Sequence, residues 1–312
     1  RVKIVRIPNI LPWYKKTSPG PSLGKLFFDI AIFFKLFCRS FLVKPKIIYA
    51  HGYEAIIVSF IAQKILFWQK SKLVGDFHGG LVAEMVIYKN IQSNILKNFF
   101  RGIEKIIHRM PHHAIASSSP LALYVSKDRN NECDVLYDAP SISFALLNKE
   151  ELRKKYFIPQ DSFVVLYTGG FTKDKGIENI FSLIHLSKLK DSVWIIAGGP
   201  QNEIQIPKEF GSDIRIISPL DVKMLSELLS LADCAVDPKE RTSLQSSGKM
   251  INYMEYGLPV LCFDDAISRD YLGSELLDLC GVKSIKVMSE KLIQLQKNPG
   301  VYSLVREKIR SR

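Results

Sequence analysis

The chain has 312 residues, 47% of them hydrophobic, with 43 basic against 31 acidic side chains and a formal charge of +12. That length suits two domains, since single cores rarely grow past about 250 residues, and the ordinary apolar fraction excludes a disordered or fibrous chain. Residues 1–150 carry a net +11 and residues 151–312 only +1, so the first half is marked for an anionic partner: nucleic acid, a phosphorylated ligand or an acidic membrane face.

In chain order, short apolar runs alternate with longer amphipathic stretches, the βαβ rhythm of a parallel sheet covered by helices. The first half predicts strands at Val2–Ile7, Lys46–Ala50, Lys72–Asp76, Ala114–Ser117 and Asp134–Leu136, with helices at Ala55–Gln69 and Gln92–His108. The polar, Pro-containing stretch Asp138–Gln160 reads as a linker carrying a charged helix at Lys149–Tyr156. The second half predicts Phe163–Thr168, a helix at Ile177–Leu189, Ser192–Ala197, Asp213–Ile217 and a helix at Asp221–Leu231. Cys234–Val236, a helix at Lys249–Tyr256 and Pro259–Phe263 follow. The expected architecture is α/β: two doubly wound, Rossmann-like domains, residues 1–148 and 149–312, with the interdomain cleft as the default ligand site. Cys38, Cys133, Cys234, Cys262 and Cys280 show neither zinc spacing nor an even disulfide framework, and no signal peptide follows Arg1. The expected compartment is therefore reducing and cytoplasmic.

Residues 24–44 carry six phenylalanines between Phe27 and Phe41. Asp29, Lys35 and Arg39 interrupt the run, so it falls short of the roughly 20 apolar residues of a membrane span. As a helix it either packs on its own sheet or dips the aromatic face into a bilayer while Lys and Arg meet lipid phosphates. Adjacent faces could serve both.

Two segments point to anion chemistry. In VVLYTGGFTKDKGIENIFSLI, Gly169 and Gly170 permit a tight turn, and Lys175 stands at a helix entrance where free N–H groups favour a phosphate. In SLQSSGKMINYMEYGLPVLCFD, Ser247 and Gly248 open a second helix. Lys249 in its first turn opposes the helix dipole unless an anion neutralises it. Asn252, one turn on, could hydrogen-bond a sugar hydroxyl.

These segments, with VWIIAGGP and LLSLADCAVDP, resemble the group 1 nucleotide-sugar-dependent glycosyltransferases of the GT-B fold over nearly all of Phe163–Gly273. SSGKMINYMEYGLPVLCFD followed by SRDYLG is most similar to the bacterial branch that builds surface polysaccharides. KPKIIYAHG, KLVGDFHGG and AIASSSP resemble the family's acceptor-domain strand ends, and VLYDAP resembles beta-mannosyltransferases acting on chitobiosyl-diphosphate-lipid. The resemblance implies transfer of a sugar from a nucleotide diphosphate-sugar to a hydroxyl of a glycan or lipid-linked acceptor. It further implies retained configuration, no cofactor and no metal. Lys175 would hold the diphosphate, with Gly169, Gly170, Gly248 and Lys249 around it. Gly198 and Gly199 would form a turn beside the donor, and Ser218 and Leu220 would flank the nucleobase. His78 would stand near the donor sugar.

Three departures qualify this. The Arg that many members carry before the phosphate Lys is Gly170 here. The family's paired glutamates fall on Leu244 and Asn252. Asn252 can still bond ribose hydroxyls, more weakly than a carboxylate, whereas Leu244 cannot support the sugar–phosphate end, so Gln245, Ser246 and Ser247 would take over. No carboxylate identifies a covalent nucleophile of the glycosidase kind. Two alternatives compete: a catalytically inactive sugar-nucleotide or partner-binding subunit, and a nucleic-acid binder. The last predicts interleaved aromatic and basic residues or a recognition helix, and neither is present in the sequence. The family pattern also predicts 30–50 further residues ahead of Arg1 (about one βα unit) and a helix after Arg312. The +11 of the first half is then best matched to a polyanionic lipid acceptor, with the enzyme peripheral at the inner face of the cell membrane.

Overall fold

A computed structural model describes residues 4–8, 23–142, 147–172, 175–199 and 213–310. The chain divides into two compact units: Arg1–Tyr137 with Thr242–Ser246, and Asp138–Arg241 with Ser247–Arg312.

The first unit contains α1 (Leu23–Val43), β1 (Ile47–His51), α2 (Tyr53–Ile65), β2 (Lys72–Phe77), α3 (Leu81–Ile87) and α4 (Asn94–Arg109). It continues through β3 (His113–Ala116), α5 (Ser119–Ser126) and β4 (Cys133–Val135). The four strands pair in parallel in the order β1-β2-β3-β4. Ile48, Ala50, Leu73, Phe77, Ala114 and Leu121 form its core. Local chemistry sets the helix starts: the Ser93 and Ser118 hydroxyls accept from Ile95 N and Leu121 N, opening α4 and α5, as N-cap residues do. The expected strand Val2–Ile7 is not formed over its described residues: 4–8 are irregular. Ile4 is exposed, and the carbonyl of Arg6 accepts a bond from Lys35 Nζ at 2.6 Å instead of a ladder partner.

The second unit contains α6 (Lys149–Lys155), β5 (Phe163–Gly170), α7 (Ile177–Ser187), β6 (Ser192–Gly199), β7 (Asp213–Ile217) and α8 (Val222–Leu231). After these come β8 (Cys234–Asp237), α9 (Gly248–Glu255), β9 (Val260–Phe263), α10 (Ala266–Cys280), β10 (Gly281–Val282), α11 (Ile285–Lys297) and α12 (Pro299–Arg310). Its six strands run in parallel in the order β10-β9-β8-β5-β6-β7. Strands β5 and β6 are apolar and buried on both faces, as a parallel sheet covered by helices requires. The chain leaves β5 toward β6 and β7, then returns on the other side of β5 as β8. That reversal is the topological switch point of a doubly wound sheet, where ligands bind beyond the carboxyl ends of the strands.

The stretch Asp138–Gln160 does not behave as a linker. Ile142, Leu152 and Ile158 enter the second core, and Asn252 binds Ser141, so the units part at Tyr137/Asp138 ahead of the expected 148/149. Helix α1 lies against α2 and pairs Lys25 with Glu54, yet Leu26, Ile30, Phe34 and Phe41 are exposed. Among the described residues no helix is long and apolar enough to cross a membrane.

Gly198 has φ 150, and a Cβ there would stand 1.8 Å from the carbonyl oxygen of Gly169. Strands β5 and β6 therefore approach too closely at their ends for any side chain. Gly198→Ala should destabilise the fold by at least about 2 kcal/mol through this backbone collision, read as a lowered urea midpoint. Gly248→Ala, where a Cβ meets nothing within 4 Å, should change stability by under about 1 kcal/mol; equal effects would contradict the strand-contact account.

Candidate active site

At the switch point β8 ends on Asp237, whose side chain is fully buried. Its Oδ1 lies 2.7 Å from Lys249 Nζ, its Oδ2 accepts from Ser247 Oγ at 2.9 Å, and Arg241 Nη2 closes a third contact. Arg241 also reaches Asp265 Oδ2 at 2.8 Å. Burial alone would raise the Asp237 pKa, but Arg241 and Lys249 outweigh it and hold the carboxyl well below the usual range. Burial pushes the Lys249 ammonium down despite Asp237. Its Nζ also sits 4.5 Å from the Tyr167 ring centroid, a cation–π contact. The anion that neutralises Lys249 in the first turn of α9 is thus a carboxylate of the chain itself.

Lys239, two residues past β8, is 9% exposed. Burial first, then Lys175, lower its pKa to about 8. Lys175, Lys239, Arg241 and Lys249 act on one another electrostatically, with Asp237 and Asp265 among their counter-charges.

Two helices begin at this end of the sheet. Gly176 caps α7 with φ 83, and a Cβ there would be 2.6 Å from the Pro238 carbonyl, so only glycine lets the α7 entrance close on the end of β8. In α9 the N-cap Ser247 makes no capping bond, because its hydroxyl is spent on Asp237. The first N–H groups of α9 consequently lack a side-chain cap, the arrangement that favours an external anion.

The structure brings Gly169, Gly170, Lys175, Gly198, Gly199, Ser247, Gly248 and Lys249 to this carboxyl end. Tyr167 OH lies within hydrogen-bond distance of the carbonyls of Gly170 (2.9 Å) and Lys175 (3.0 Å), joining the Gly-Gly turn to the lysine. Ser218 lies beyond β7, with its Oγ 3.4 Å from where a Gly199 Cβ would be, and Leu220 packs on the core. Asn252 is committed differently: its Oδ1 accepts from Ser141 N (2.9 Å) and its Nδ2 donates to Ser141 Oγ (2.7 Å). Pro200 lies outside the described residues. Sequence reasoning missed Asp237, Lys239 and Arg241, although a charged run directly behind a short apolar strand (AVDPKER) was a usable signal.

His78 belongs to the first unit, one residue beyond β2. Its Nε2 is 3.0 Å from Asp76 Oδ2. The backbone after it is fixed by Glu104, fully buried on α4, which accepts from Leu81 N at 2.7 Å, Tyr124 OH at 2.8 Å, Arg101 Nη1 at 3.0 Å and Tyr53 OH at 3.1 Å. In the same unit Leu244 packs on the core with φ 58 and accepts Ser118 Oγ at 3.2 Å.

The second unit is thus a doubly wound α/β domain with two helix N-termini and a cationic cluster at its switch point. The chain belongs to the glycosyl transferases of group 1: the family's model matches residues 148–312, more than half of the sequence. No curated protein matches it by sequence. In fold it is similar to sucrose-phosphate synthase from Thermosynechococcus elongatus, at 15% identity and TM-score 0.70, with 94% of this chain and 76% of that chain covered. It is also similar to HepE of Anabaena in complex with UDP, at 15% identity and TM-score 0.67, covering 94% and 79%. The glycosyltransferase WaaG, involved in lipopolysaccharide biosynthesis, matches at 15% identity and TM-score 0.60, covering 83% and 77%.

Asp237→Asn should leave Arg241 and Lys249 buried with half their counter-charge, costing about 3–5 kcal/mol as broken buried pairs do. Chemical denaturation reads this; a loss below about 1 kcal/mol would mean the pair is not desolvated.

Proposed function

We propose that this glycosyltransferase moves a sugar from a nucleotide diphosphate-sugar to a hydroxyl of a glycan or lipid-linked acceptor in polysaccharide synthesis. The observation that carries the donor assignment is the gathering of Lys175, Lys239, Arg241 and Lys249 beside the start of α9, where Ser247 makes no capping bond. As the sugar leaves, negative charge develops on the β-phosphate. Lys175, Lys239 and the N–H groups at Gly248 stabilise it electrostatically, fixed in place before reaction. These cations supply the neutralisation that other transferases take from a metal, so transfer is metal-independent. Retention by front-face transfer, without a nucleophile of the enzyme, is what the family resemblance implies. By the family resemblance, His78 is the first-unit residue assigned to the donor sugar. HepE in complex with UDP supports a nucleotide of that kind, and WaaG supports a surface-glycan setting.

The acceptor side draws on the first unit. Leu26, Ile30 and Phe34 recur every four residues along exposed α1, beside Lys35 and Arg39. This is the pattern of a helix lying in the plane of an anionic membrane. It supports an enzyme peripheral at the inner face of the cell membrane. A second reading, donor binding without turnover, draws on Leu244 packed in the first core and on Asn252 held by Ser141.

Turnover of a nucleotide-sugar panel with a lipid-diphosphate acceptor decides between them: nucleoside diphosphate release supports transfer, and binding without release supports the second. Lys175→Ala should weaken UDP affinity by about tenfold, the cost of one charge-assisted bond. An anion beside Lys239 raises its pKa from about 8, so UDP binding should take up a proton and weaken as pH rises through 8 toward 10. PH-independent affinity over that window would place the diphosphate away from Lys239. Binding to anionic liposomes should fall with salt and with Phe34→Ser; salt-insensitive absence of binding would remove the membrane assignment.

A further inference from the structure

The end of β1 and the end of β2 bring three ligand-bearing side chains together in the first unit. His51 Nδ1 is 3.1 Å and His78 Nε2 is 3.0 Å from Asp76 Oδ2, and the three atoms all lie within 4.8 Å of one another. We propose that His51, Asp76 and His78 bind a divalent transition metal, Zn²⁺ by the chemistry of the donors.

The spacing fits. At Zn–N and Zn–O bonds of about 2.0–2.1 Å, tetrahedral ligands stand about 3.3 Å apart and octahedral neighbours about 2.9 Å, and the two His–Asp separations fall between these values. The third edge, His51 to His78, is at most 4.8 Å. It closes by rotation of His51, whose side chain is 66% exposed, while Asp76 and His78 stay in place. The rings are already near each other, with centroids 4.0 Å apart.

The carboxylate is prepared for a cation. Tyr49 OH donates to the same Oδ2 at 2.7 Å and His51 Nδ1 bonds it at 3.1 Å, while His78 Nε2 stands 3.0 Å away against an oxygen that offers two lone pairs. A metal replaces two of those contacts and leaves Tyr49 as the partner that orients the carboxylate, the outer support that metal ligands commonly have. Two imidazoles and one carboxylate suit Zn²⁺ and its neighbours over Mg²⁺ or Ca²⁺, which take oxygen shells. Three protein ligands leave the fourth position of a tetrahedral ion to water. His51 lies 25 residues from Asp76, which is why no local spacing disclosed the set. The site shares His78 with the proposed donor chemistry but not Lys175, Lys239 or α9, where the diphosphate is proposed to bind.

Equilibrium dialysis of the full chain with Zn²⁺ tests this. One equivalent should bind, and His51→Ala and Asp76→Asn should each weaken binding by more than about 100-fold, beyond the effect of losing an outer partner. Co²⁺ in place of Zn²⁺ should give a visible absorption band that His78→Ala abolishes. His51 is exposed, so His51→Ala keeps the fold, and far-UV circular dichroism verifies it for each variant. Substoichiometric Zn²⁺ in the unaltered chain, or equal binding by the His51→Ala, His78→Ala pair, overturns the proposal. Because no nucleotide is present, failure here leaves the donor assignment standing, and loss of UDP binding leaves this one standing.

Discussion

The buried carboxylate of Asp237 organises the second unit. Isolated, a charge at the end of β8 would cost several kcal/mol of lost hydration. Here it is met by Arg241, Lys249 and Ser247, which come from the loop behind the strand and from the start of α9. One group therefore fixes where that helix begins, removes the hydroxyl that would otherwise cap it, and holds Lys249 beneath it. Lys249 is thereby a structural counter-ion whose positive charge is largely spent within the protein. Lys175 and Lys239 add further cations to the same cluster, and Lys239 carries its charge at a cost, since burial and Lys175 lower its pKa.

The first unit uses the same device with a different outcome. Glu104 is buried and fully satisfied by Tyr53, Leu81, Arg101 and Tyr124, so its charge is consumed in setting the backbone that follows His78. Asp76, nearer the surface, gathers Tyr49, His51 and His78 on one oxygen. Buried networks with every member paired rigidify, whereas Asp76 stands where exposed His51 can still move. Part of the basic charge of this unit, Lys25, Lys35 and Arg39 against Asp29, lies on α1 beside exposed Phe and Leu side chains.

Much of the fold was legible. Strands β5 and β6 announced themselves as unbroken apolar runs, and Asp221, which accepts from Met224 N at 2.7 Å, marked the start of α8. The segment Val2–Ile7 misled because an apolar alternation says nothing about whether a neighbouring strand exists to pair with it. Ser141 and Ile142 looked like linker because the partners that bury them, Asn252 and the second core, lie far along the sequence. The glycines and Lys175 at the switch point could be found from strand–turn–helix grammar alone. Asp237, Lys239 and Arg241 could not, since their importance comes from burial, which is a property of packing. Asn252 shows the converse: its type suits a sugar hydroxyl, but a long-range partner holds it.

The central claim is that the entrance of α9, with Lys175 and Lys239, holds the diphosphate of the donor. A crystal structure of the chain with UDP tests it most directly. The account predicts the β-phosphate within hydrogen-bond distance of Gly248 N and of at least one of these two lysines, with Asp237 still paired to Arg241 and Lys249. A diphosphate bound away from α9, or one that displaces Asp237 to reach Lys249, would contradict it.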